Sequence, residues 1–111
     1  MITPKLERFI SEIYNKSHGG YVNWEVAPDE NSFQSIFPNR TVVVASNRNG
    51  YFLKILNEVG QEVSSTNTTE IYNSSPSVAD TLERLFSIAR DSAFGVDKIL
   101  DELTNDLVSR H

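Results

Sequence analysis

Asp91, Asp97, Asp101, Glu102 and Asp106 form the densest group of side chains in this sequence that could do chemistry. Carboxylates hold divalent metals and move protons. Asp97 and Asp101 stand four residues apart, so on a helix they share a face. A metal site, however, draws its ligands from several elements, and no calcium-binding loop or histidine–carboxylate constellation accompanies these acids. The expectation is a solvated helix face, with Lys98 placed to pair with Asp101 or Glu102.

The chain has two histidines. His18 falls at the end of a predicted helix, where a cation meets the negative end of the dipole, and reads as a surface or capping residue. His111 is the last residue and reads as frayed. Serine and threonine are plentiful but lack a recognisable base. Cysteine is absent, which excludes a disulfide framework, a thiolate zinc site and a cysteine nucleophile. No phosphate-binding loop, nucleophile elbow, H-E-x-x-H helix or dinucleotide fingerprint occurs. No catalytic, cofactor-binding or metal-binding residue is assigned, and the chain is not expected to be an enzyme.

Net charge is −5. An acidic surface repels phosphates, whose neutralisation supplies most affinity for nucleic acid, and the ten basic residues are scattered singly. Nucleic acid is therefore not an expected partner. No apolar run approaches the ~18 residues that span a bilayer, and "MITPKLERF" lacks the apolar centre of a signal peptide. The expected location is cytoplasmic, with no membrane contact. At 111 residues, 39% hydrophobic and 23% charged, the chain suits one globular domain over 1–111.

The elements that must position these groups are legible in part. Thr3 and Pro4 open a helix whose apolar face is Leu6, Phe9, Ile10, Ile13 and Tyr14, and His18-Gly19-Gly20 closes it. Residues 21–32 stay ambiguous between a short strand and an ordered lid. Phe33 to Phe37 alternates as a strand before a turn at Pro38-Asn39.

"TVVVASNRNGYFLKILNEVGQEV" reads as a hairpin around Asn49-Gly50, closed by a type I′ turn in which Val44 faces Ile55 and Val42 faces Asn57. One sheet face then carries Val42, Val44, Tyr51, Leu53 and Ile55. The other carries Val43, Ala45, Phe52 and Leu56, with Lys54 its only charge. "QEVSST" has Val63 as its only apolar residue and reads as an edge strand. Residues 64–77 read as a polar connection that Ile71 and Tyr72 pin to the body.

The last third is helical. Val78, Leu82, Leu85 and Ala89 make one stripe, and Val96, Leu100 and Leu103 continue it in phase. One straight helix over residues 77–108 would be about 48 Å long and would overhang a chain of this size. Gly95 permits a break, Asp97 could cap a new helix, and an unbroken helix would point Phe94 away from the stripe. Two helices are expected.

The resulting fold class is α+β: an N-terminal helix, a three- or four-stranded antiparallel meander, and two C-terminal helices packed on one sheet face. The opposite face, with Val43, Phe52 and Leu56, is short of cover. An uncovered sheet face is normally polar, and this one is not. The leading expectation is a non-catalytic protein-interaction module, homodimeric, using Val43, Phe52, Leu56, Phe94, Leu103 and Leu107 against a protein partner or a second copy. In size, acidity and general layout the chain is similar to the small dimeric chaperones that escort secreted bacterial effectors, with a different order of strands and helices. The alternative is a small-ligand-binding domain with an aromatic pocket around Tyr21 and Trp24; an enzyme with carboxylate chemistry comes behind both.

Overall fold

A computed structural model describes residues 3–110. Helix α1 covers Pro4–His18; the Thr3 hydroxyl accepts from the Leu6 N–H, and Pro4 sits where a missing N–H leaves nothing unpaired. The helix stops at two glycines, of which Gly20 takes φ +83°. Five strands follow: β1 (Glu25–Val26), β2 (Ser32–Phe37), β3 (Arg40–Asn47), β4 (Gly50–Asn57) and β5 (Glu62–Asn67). They pair in sequence order as one antiparallel meander, so the strand count is five, not three or four. Then come α2 (Thr68–Tyr72), α3 (Pro76–Phe94) and α4 (Val96–Val108). The chain is an α+β fold.

The central hairpin corrects the expected register. Ser46 faces Tyr51, Val44 faces Leu53 and Val42 faces Ile55, so the loop residues are Arg48 and Asn49. The Asn47 side chain accepts from the Asn49 N–H and holds that turn, while Gly50 alone takes the positive φ, +124°. The error is two residues. Because side chains alternate with period two, a two-residue slip leaves every residue on its expected face, whereas a slip of one would have exchanged the faces.

The 64–77 connection is also more ordered than expected. β5 runs on to Asn67, whose side chain accepts from the Glu70 N–H and caps α2. Ile71 is buried as expected, but Tyr72 is exposed and pins nothing.

The core lies between the helices and one sheet face, called here the inner face. Ile10 and Ile13 of α1, Ile71 of α2, and Ala79, Leu82, Leu85, Phe86 and Ala89 of α3 meet Phe33, Val42, Val44 and Leu53. The Phe86 ring packs against Phe33 at 5.5 Å and Tyr51 at 5.2 Å between centroids. Each such fully buried side chain stabilises the fold by roughly 1.5–3 kcal/mol. Trp24 joins this core: its Nε1–H donates to the Ser17 hydroxyl at 3.0 Å, and both residues are buried.

α3 ends at Gly95, which takes the left-handed conformation (φ +64°, ψ +42°) with its N–H returned to the Asp91 and Ser92 carbonyls. α4 begins at the next residue, so two helices form and Gly95, not Asp97, stands at the cap position. Phe94 turns back to meet Phe33 edge-on at 5.3 Å. α4 itself packs mainly where it joins α3, and none of its residues is buried.

Candidate interaction surface

The outer face of the sheet is built by alternation. Gln34 and Ile36 of β2, Thr41, Val43 and Ala45 of β3, and Phe52, Lys54 and Leu56 of β4 all project away from the helices. None of them belongs to the core cluster, and α1, α2 and α3 all deliver their buried side chains to the opposite face. Ile36 is 67% exposed, while Val43, Ala45, Phe52 and Leu56 are half-buried. The charges sit at Lys54, which reaches Glu62 at 4.0 Å, and at Glu25, which accepts from Gln34 on the β1 edge. An ion pair that long between side chains nearly half in water contributes little. The centre of the face is therefore apolar around one loosely paired lysine.

α4 is the second open surface. Val96, Ile99, Leu100, Leu103 and Leu107 fall within about 100° of helix arc, a stripe as wide as those that face a core. Leu103 and Leu107 are nonetheless 53% and 66% exposed. Asp97 borders the stripe on one side, and Glu102 and Asp106 border it on the other. Lys98 pairs with neither Asp101 nor Glu102; the ion pairs among the described residues are Lys54–Glu62, Asp80–Arg84 and Arg90–Asp91. Phe94, at the root of α4, is half-exposed despite its contact with Phe33.

Size expresses the same openness. The accessible surface is 7670 Å². A folded monomer of 12.5 kDa exposes about 6,200 Å², so this chain carries an excess of roughly 1,500 Å². The longest axis is 57 Å against 32 and 27 Å for the others. The long axis exceeds the next by about 25 Å, somewhat more than the ~20 Å length of the 13-residue α4.

The remaining sequence candidates are dispersed. Trp24 is sealed in the core and Tyr21 is 81% exposed with the Lys16 ammonium over its ring, so the two do not line a common cavity. Phe37 lines an apolar groove of about 300 Å³ with Phe9, Pro38, Arg40, Val42 and Ile55 at the far end of the inner face. His18 is exposed, with its ring near that of Tyr14, and His111 lies outside the described residues. Among the described residues no three His, Asp or Glu side chains are grouped to hold a metal. No helix among them is long and apolar enough to cross a membrane. The groove beside Phe9 is what sequence reasoning missed, because its lining comes from α1, β2, β3 and β4, which only the tertiary fold brings together.

No family model, no curated protein and no solved structure matches the chain.

Proposed function

We propose that this chain is a non-catalytic protein-interaction module that associates with a second copy of itself. The observation that carries the reading is the outer sheet face: Val43, Phe52 and Leu56 lie on the side of the sheet that no helix roofs. Antiparallel sheets do leave one face in water, but such faces are polar. The α4 stripe adds a second apolar surface, and the excess area of roughly 1,500 Å² exceeds the ~800 Å² each partner gives to a standard interface. Acidity argues in the same direction, since a charge of −5 disfavours phosphate-bearing partners and leaves proteins as the class that fits.

Light scattering on the purified chain tests this. The expected mass is twice 12.5 kDa at micromolar concentration. Phe52→Asp with Leu56→Asp is expected to halve it while leaving the circular dichroism spectrum unchanged, because neither residue belongs to the core. A wild-type chain that stays monomeric into the millimolar range would end the proposal.

A further inference from the structure

We infer that α4 of one copy lies across the outer sheet face of a second copy and supplies the helical layer that this face lacks. The inference rests on the self-association proposed above and names its geometry.

The argument begins with what each surface needs. A sheet that is apolar on both sides is stable when each side is roofed. α1, α2 and α3 roof the inner face. α4 is a helix with an apolar stripe and nothing beneath it. It cannot roof its own outer face. It follows α3, which belongs to the inner layer, after the single residue Gly95, and no linker exists to carry it around the sheet edge. None of α1–α4 covers the outer face of its own chain, and another copy presents a helix of suitable size. The stripe from Val96 to Leu107 is about 17 Å long, and the apolar patch from Ala45 and Phe52 to Thr41 and Leu56 is about 13 Å long.

Charge selects this seat over the others. Covering the outer face takes Lys54 out of water, and its 4.0 Å contact with Glu62 is too loose to satisfy it there. The α4 stripe arrives bordered by Asp97, Glu102 and Asp106, none of them in an ion pair. Glu25 stands on the far edge strand β1 and Glu62 only touches the lysine from β5, so an acidic helix laid along β3 and β4 keeps clear of Glu25 and adds a second acid to Lys54. Packing two outer faces against each other would instead bury two lysines without adding an acid from α4. Pairing α4 with α4 would leave both sheets uncovered.

The chain has no cysteine, so introduced thiols are unique. Phe52→Cys protein is mixed with Leu100→Cys, Leu103→Cys or Leu107→Cys protein, oxidised, and resolved on a non-reducing gel, with light scattering on the unlabelled chain alongside. A disulfide between position 52 and at least one α4 position, formed only in the mixture, is expected. Lys54→Glu is expected to raise the dimer dissociation constant by about tenfold or more at low salt, with the fold checked by circular dichroism. Links between two α4 positions, or between α4 and Phe37→Cys in the inner-face groove, would overturn the seat in favour of those sites. A dimer with no link to position 52 overturns the seat but leaves self-association standing, and a monomer overturns both.

Discussion

The indole N–H of Trp24 donates to the hydroxyl of Ser17 across 3.0 Å, inside the core, from the loop after α1 to the last turn of α1 itself. That bond lets a tryptophan from a polar loop sit at 6% exposure. Removing the acceptor leaves a buried donor unpaired, which costs about 1–3 kcal/mol. Ser17→Ala is expected to destabilise by that amount and to lower the melting temperature by roughly 4–8 °C per kcal/mol. Urea denaturation should show a lower midpoint with an unchanged slope, since the folded and unfolded surfaces stay the same.

Gly50 is constrained twice. Its φ of +124° suits glycine, and a Cβ there would collide with the Thr68 hydroxyl at the start of α2. That hydroxyl already accepts from the Tyr51 N–H at 3.2 Å, so it is not free to swing aside. Gly50→Ala is expected to cost at least about 1–3 kcal/mol from backbone strain, with the collision added. A midpoint shift below that range in chemical denaturation would mean the hairpin and α2 can separate at little cost.

Gly95 makes a contrasting case. Its left-handed conformation costs a non-glycine residue about 1–2 kcal/mol, but nothing lies near its missing side chain. Alanine escapes the strain by continuing the helix, where it is the best former. In Gly95→Ala, spin labels on Ser77→Cys and Ser109→Cys should separate to about 48 Å, the span of an unbroken helix, and to less in the parent. Equal distances in the two proteins would show that packing at Phe94 and Phe33, not the glycine, sets the bend.

α4 should report association directly. A 13-residue helix without packing is marginal in water, so its amides are expected to exchange almost unprotected at high dilution while those of α3 stay protected. Protection across Val96–Val108 should rise with concentration as copies associate. Exchange in α4 that ignores concentration would disconnect this helix from any dimer.

Much of this architecture was legible because the signals were local. Thr3-Pro4 and the 3.6-residue spacing of α1 specify a helix and its face, and the β-branched and aromatic runs Val42–Ala45 and Phe52–Leu56 specify strands, without reference to the rest of the chain. What was not legible depends on distant partners. Trp24 finds its acceptor seven residues away across a loop, and Phe37 shares a groove with Phe9 of α1 and Ile55 of β4. The turn at Arg48-Asn49 takes the place of the more familiar Asn-Gly turn, with the Asn47 side chain holding it. α2 did leave a trace: Asn67 followed three residues later by Glu70 is a capping pattern, short enough to pass as loop. The open outer face was readable for the same reason as the inner one, since period-two alternation reports both sides of a sheet equally.

The joint at Gly95 is one residue long, so two torsions aim everything beyond it. A lever of about 20 Å turned through 20° carries its tip about 7 Å. Small adjustments at that pivot would change where the apolar stripe of α4 points, without disturbing the interior beneath α1, α2 and α3. The direction of that stripe is thus a property this chain could tune by evolution at a single codon.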